Sequence, residues 1–250
     1  MFAQEPEPSS VPTPSPKPET LIQIEDDPTK PIIFSIRHEY RNLKNDASSN
    51  TAIFRFDKVI LKNLGNKGGA KGLILRFDIP VNAVSTPTTT KTGLGDLYAQ
   101  ALYVPHVRRK FAVAVGSGIV FPTATSDILG SGKLTLTPTV VPIWYLNNRK
   151  RIFLIRIQNP VSVAGKTDRA DINYFVAAPL IVNHLTGRWW IMNDTEFRWD
   201  WRSKRVSGVT GLQIGRMIKH KYGFWIKPEV LWGPGRLGDF NLKFTVFRVR

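Results

Sequence analysis

Leu73, Leu75, Phe77, Ile79 and Val81 occupy every second position of one short segment, with Arg76, Asp78 and Pro80 between them. Side chains that change character with period two belong to an extended chain, oily on one face and polar on the other. Phe34, Ile36 and Tyr40 stand in the same relation to Ser35, Arg37, Glu39 and Arg41. Runs of this kind, rich in Val, Ile, Phe, Tyr, Trp and Thr and bounded by Gly, Asn, Asp, Ser and Lys/Arg clusters, recur about twelve times after Pro31, centred near residues 38, 55, 77, 100, 116, 140, 155, 177, 195, 211, 227 and 245. The longest apolar run, Phe175 to Val182, has eight residues and contains Pro179, against the roughly 18 that a spanning helix needs. A helical membrane protein is excluded, and strands are predicted throughout.

Residues 1–30 form a separate regime. Pro6, Pro8, Pro12, Pro14, Pro16 and Pro18 alternate with Ser, Thr and Glu, and nothing there can build a core. A disordered or polyproline-II extension is predicted, its acidic end Glu25-Asp26-Asp27 opposite in sign to the basic remainder. Residues 31–250 are predicted to form one domain. Twelve antiparallel strands of about ten residues plus turns use roughly 200 to 220 residues, the length at hand for an all-β, up-and-down transmembrane barrel. Short connections are expected at His106 to Arg109, Asn147 to Arg149, Asn183 to Gly187 and His220-Lys221, and long ones at Val84 to Thr92, Thr123 to Lys133, Pro160 to Ala170 and Gly233 to Gly238. Short turns at one end and longer loops at the other suit an outer-membrane barrel, and an even strand number puts both termini at the short-turn, periplasmic end.

Alternation alone also fits a soluble sandwich, and aromatic spacing separates the two. Phe111 and Phe121, Trp189 and Trp199, and Tyr222 and Trp232 each lie ten residues apart on one face. Ten tilted residues span about 25 Å, the height of the lipid-facing band between aromatic girdles. These six residues are the membrane-interface candidates, with the lipid bilayer as partner. Asn193, Thr195 and Ser117 share the lipid parity and would face hydrocarbon unless a bulge reverses the register. The opposite parity supplies the lumen candidates Arg37, Glu39, Arg41, Arg55, Asp57, Arg76, Asp78, Asp96, Asp194, Glu196, Arg198, Lys227 and Glu229, with Lys243 in the same set. Enclosed charges of both signs must pair or stay hydrated, which fits either a water-filled pore or a salt-bridged plug.

Gly93-Leu94-Gly95-Asp96-Leu97 leads into an alternating strand ending at Tyr103, followed by Phe111 to Phe121, Pro122-Thr123-Ala124 and Leu129-Gly130-Ser131-Gly132. The stretch resembles the outer-membrane barrels grouped as the "meta-pathway of phenol degradation" transporter-like family. About 50 residues carry the likeness. It implies a monomeric barrel passing small hydrophobic or aromatic compounds. Ala124 departs from that pattern, which has Gly in the loop, and Phe247-Arg248-Val249-Arg250 departs from the usual aromatic finish.

The net charge is +16, from 35 Lys and Arg against 19 Asp and Glu, with pI near 10.2. That balance ordinarily suggests an anionic partner. Here the basic clusters Arg108-Arg109-Lys110, Arg149-Lys150-Arg151 and Lys219 with Lys221 gather in predicted turns without interleaved aromatics, so nucleic-acid readout is not favoured. Anionic lipid head groups or a periplasmic partner, reached through these turns or the Pro-rich tail, are the expected contacts. The absence of cysteine removes thiolate metal sites and cysteine nucleophiles. His106, His184 and His220 fall in turns and read as polar turn residues, so no metal or cofactor is expected. Gly130-Ser131-Gly132-Lys133-Leu134 lacks the first glycine and the Ser/Thr of a phosphate loop. Asp194 and Glu196 lie close enough for acid–base work but have no assignable Ser or His partner. No enzyme is predicted. Three readings remain: a passive channel or transporter, a plugged barrel serving as an interaction subunit, and a soluble basic β-protein that binds nucleic acid.

Overall fold

A computed structural model describes residues 34–59, 72–108, 110–218 and 221–249. The Pro-rich segment with its acidic end, and Arg109, Lys219 and His220 of the basic turns, lie outside the described residues. Fourteen strand segments appear among those described: β1 (Phe34–Leu43), β2 (Ser48–Val59), β3 (Gly72–Ser85), β4 (Thr90–Leu94), β5 (Leu97–Val107), β6 (Phe111–Phe121), β7 (Lys133–Leu146), β8 (Arg151–Gln158), β9 (Val161–Gly165), β10 (Tyr174–His184), β11 (Trp189–Asp200), β12 (Val206–Ile218), β13 (Tyr222–Trp232) and β14 (Gly238–Arg248).

They make twelve staves. β4 and β5 both pair with β3, through Val81 with Leu94 and Asp78 with Tyr98, and are one stave interrupted at Gly95-Asp96. β8 and β9 likewise both pair with β7, through Thr139 with Gln158 and Leu136 with Val161. Each stave is antiparallel to the next, and β1 closes on β14 from Phe34 with Arg248 to Leu43 with Gly238. Closure satisfies the backbone groups that an open edge would expose to hydrocarbon. All twelve runs centred from the sequence fall within staves of this closed barrel.

Residues 44–47, 86–89, 122–132, 166–173, 201–205 and 233–237 connect the staves at one end, here called the loop end. Residues 147–150 and 185–188 connect them at the other, the terminus end, where Arg108, Lys110 and Lys221 flank strand ends; residues 60–71 lie outside the described residues. Two expected loops are shorter than the sequence suggested. The span Val84 to Thr92 is mostly strand, with only 86–89 outside β3 and β4, because Lys91 and Thr92 continue the ladder against Val84 and Ala83. Part of Pro160 to Ala170 is β9, which lines up on Lys133 to Leu136. At the terminus end Asn147 and Asn148 take positive φ values of 47° and 53° in a one-turn reversal, a conformation asparagine tolerates better than most residues.

The outward face is predominantly apolar. Leu212, Ile214, Ile226, Val230, Phe244 and Val246 are all exposed, Val230 by 60%. A water-soluble protein rarely leaves so continuous an apolar surface. Around it the rings stand at two levels. Phe111 meets Trp144, which stacks on Phe153, and Trp189 meets Phe224 edge-on, all near the terminus end with Tyr222. Phe197 meets Trp232 and Trp199 meets Trp201 near the loop end, with Phe121 exposed at the same level. No bulge rescues Asn193 and Thr195: β11 pairs with β12 without a register shift, so both keep the lipid-facing parity. Thr195 instead lies within hydrogen-bonding distance of Thr210, 3.3 Å away, and Thr210 accepts from Trp232 Nε1 at 3.1 Å. Ser117 donates to the carbonyl of Gly118.

Candidate functional site

Inward-facing side chains divide the lumen along its axis. Toward the terminus end they are apolar. Ala112 and Ala114 on β6, Ile143 and Tyr145 on β7, Ile152 and Leu154 on β8, Val182 on β10 and Trp190 and Met192 on β11 are buried together with Phe247 of β14. Large rings fit because facing residues are glycine. A Cβ on Gly215 would lie 2.2 Å from Trp190 Cζ2, and one on Gly223 would lie 2.2 Å from Phe247 Cζ. These side chains form a packed floor across the barrel.

Between the floor and the loop end lies a cavity of ≈ 480 Å³. Ile74, Leu102, Val141, Leu154, Leu180 and Trp225 reach its base, and Leu43, Arg236 and Leu237 stand where the loops meet it. Its wall is charged. On β2 and β3 two reciprocal pairs sit directly opposite one another in register: Arg55 holds Asp78 with two bonds of 2.7 Å, and Arg76 holds Asp57 with bonds of 2.9 and 2.8 Å. Both are two-armed contacts, the geometry in which arginine binds a carboxylate best. Along β1, Glu39 lies between Arg37 at 2.7 Å and Arg41 at 2.5 Å and is only 3% exposed. Glu229 of β13 lies between Lys227 at 3.0 Å and Lys243 at 2.8 Å and accepts from Asn241. Asp194 takes the same Lys227 at 2.9 Å. Glu196 lies between Arg156 at 3.0 Å and Arg198 at 2.9 Å, and the Arg198 guanidinium covers the Tyr174 ring at 4.6 Å.

Each carboxylate in this wall therefore touches at least one cation. Enclosure strips water from a charge at a cost of several kcal/mol, and close partners with further hydrogen bonds offset that cost. Nine cationic residues line the cavity among those described: Arg37, Arg41, Arg55, Arg76, Arg156, Arg198, Lys227, Arg236 and Lys243. Four carboxylates line it with them, Glu39, Asp194, Glu196 and Glu229, while Asp57, Asp78 and Asp239, the last beside Arg236 at 2.9 Å, pair with lining cations without lining the cavity themselves. Counted with these three, the wall is net cationic by two.

Of the thirteen lumen residues proposed from alternation, ten line the cavity. Asp57 and Asp78 stand behind Arg76 and Arg55. Asp96 is placed elsewhere: at the β4–β5 junction its carboxylate accepts the Ser131 amide at 2.6 Å, the Ser131 hydroxyl at 2.8 Å and the Ala124 amide at 3.2 Å. The glycine-flanked Asp96 thus fastens the 122–132 loop to the barrel, and Gly130 leaves it room, since a Cβ there would lie 2.4 Å from Asp96 Oδ1. Lys133, beside the same loop, reaches Asp171 at 2.8 Å rather than a phosphate site. Asp171 also takes Arg202 at 2.6 Å. Hydrogen bonds from Lys133 and Arg202 hold its carboxyl below the ordinary value, as one from Lys166 does for Asp127.

Arg156, Gln158 and Gln213 line the cavity without having been singled out from the sequence. Arg156 was hidden because both parities of β8 are apolar around it, Ile152 and Leu154 inward, Phe153, Ile155 and Ile157 outward. Among the described residues no histidine lines the cavity, and no group of three or more His, Asp or Glu could hold a metal ion.

No protein-family model matches the sequence, and no curated protein matches it. Solved structures do. The COG4313 outer membrane channel from Pseudomonas putida F1 superposes with a TM-score of 0.70 at 11% identity, covering 91% of this chain and 100% of that one. The KdgM porin gives 0.56 at 9% identity over 87% and 98% of the two chains. Outer membrane phospholipase A from Escherichia coli gives 0.53 at 10% identity over 92% and 95%. At these identities the likeness is one of fold. Together with the apolar belt and its two aromatic levels, it makes this chain a bacterial outer-membrane β-barrel. The fold is shared by channels, by a porin and by an enzyme, so the work done by this barrel must be argued from its own lumen.

Proposed function

We propose that the chain is a passive channel for small molecules, hydrophobic or aromatic ones foremost, with the terminus end in the periplasm. One observation carries this reading: the lining changes from a charged vestibule at the loop end to an apolar floor at the terminus end. A hydrophilic solute entering the vestibule meets a layer that offers it no hydrogen bonds, whereas an apolar one exchanges like for like. The resemblance of residues 93–132 to the phenol-degradation transporter-like barrels supports the same cargo. The Asp194 and Glu196 carboxylates, the candidates for acid–base work, are each engaged by cations, which favours the channel reading.

Planar-bilayer recording tests the proposal. Small conductance steps are expected from the native chain and larger ones after the floor is thinned. Silence from both would favour a second reading, drawn from the same packed floor: a plugged barrel acting as a structural or interaction subunit. Arg108, Lys110, Arg149, Lys150, Arg151 and Lys221, all at the terminus end, would in either case meet anionic head groups or a periplasmic partner. Vesicle association that falls with added salt is the expected result, and salt-independent association would count against it.

A further inference from the structure

Resting on the channel reading for the solute's route, we propose that the vestibule is a binding site for amphipathic carboxylates, the acid group held at the Arg156–Glu196–Arg198 cluster and the apolar body lying on the floor.

The cluster holds one carboxylate between two guanidiniums. Each arginine contacts a different oxygen of Glu196, so one unit of positive charge remains, and the side chains of Arg156 and Arg198 are 32% and 35% exposed to the cavity. Glu39 between Arg37 and Arg41 repeats the pattern on β1, on the same cavity. Each trio sets two cations against one carboxylate, and together they account for the excess of two that remains once Asp57, Asp78 and Asp239 are counted with the wall. A planar guanidinium has five N–H donors in a fixed fork, and the Arg198 hydrogen bond to Glu196 engages one of them. The Tyr174 ring beneath Arg198 fixes the plane of that fork.

Charge alone would select any anion. The floor narrows the class, because Leu154, Leu180 and Trp225 reach the same cavity that the arginines line. A solute bridging both environments needs a carboxylate at one end and a ring or short hydrocarbon at the other. Inorganic anions satisfy only the first half of the site, and neutral aromatics only the second.

Equilibrium dialysis of the purified full chain in detergent, with 3-phenylpropionate and its neutral amide as probes at neutral pH, tests the inference. The acid should be retained about tenfold more tightly than the amide, as a charge-assisted contact requires. Arg198→Gln should remove most of that difference while leaving amide retention unchanged. Glu196→Gln should act in the opposite direction and tighten the acid. Heat-dependent gel mobility confirms that each variant is a folded barrel. Equal retention of acid and amide, or a preference that neither substitution moves, overturns the proposal. Acid-selective retention by a barrel that never conducts supports the site and removes the channel. Conductance without preference for the acid does the reverse.

Discussion

Trp190→Ala probes the packed floor directly. The indole is wholly buried, its ring centre 6.0 Å from that of Phe247, and it lies against Gly215. Truncating a buried Trp to Ala costs about 3–5 kcal/mol in lost contacts and cavity. One feature reduces the net loss. Trp190 Nε1 has no hydrogen-bond partner among the described residues, and removing an unsatisfied buried donor recovers about 1–3 kcal/mol. The balance is a destabilisation of about 2 kcal/mol. Trp190→Phe removes the same donor and keeps a ring in place, so it should be neutral or slightly stabilising. Urea unfolding of the barrel in lipid vesicles, followed by tryptophan fluorescence, gives both values. Single-channel recording on the same samples should show higher conductance for the alanine variant alone. An alanine variant as stable as the native chain, with unchanged conductance, would show that the floor is not a packed barrier.

Further outcomes follow from the charged wall and the loops. Asp78→Asn deprives the buried Arg55 guanidinium of its two-armed partner and should destabilise the barrel by about 3–5 kcal/mol, read by the same unfolding assay; a change under about 1 kcal/mol would mean that the pair is hydrated rather than enclosed. Asp96→Ala removes three hydrogen bonds to Ala124 and Ser131, so limited proteolysis should cut within 122–132 faster than in the native chain, with the barrel itself intact. Asp127 and Asp171 are held below their ordinary value of 3.8 chiefly by hydrogen bonds from Lys166 and Lys133. Their loop contacts should be complete above that value and be lost only as the pH falls through the depressed ones. Hydrogen exchange of 122–132 and 166–173 that quickens already between pH 7 and 5 would contradict this assignment.

The barrel was legible because period-two alternation is a local signal. Residues 73–81 declare their faces without reference to any other strand, and the rings at 111 and 121, 189 and 199, and 222 and 232 mark stave length directly. The floor was harder to read. Phe175 to Val182 and Val140 to Leu146 are nearly continuous apolar runs, the pattern of strands covered on both faces. Read as lipid-facing texture alone, they conceal that Val182 and Ile143 point inward and join the packed floor. Charge type was visible, but partner choice was not. That Arg156 meets Glu196 depends on β8 and β11 both flanking β10, information no single strand contains. Asp96 misled for the opposite reason: its parity is that of the lumen, while its neighbours Gly95 and Gly93 mark a junction where a loop comes down.

A spin-label scan of the wall most directly tests which face meets lipid. The chain has no cysteine, so single substitutions can be labelled without background. Labels at Leu212, Ile214, Ile226 and Val230 in lipid vesicles should be relaxed by dissolved oxygen and shielded from a water-soluble nickel complex, and labels at Gln213 and Glu229 should show the reverse. Nickel access at the first four positions, with oxygen preference at the inward pair, would put the apolar face in water and contradict the barrel's placement in the membrane.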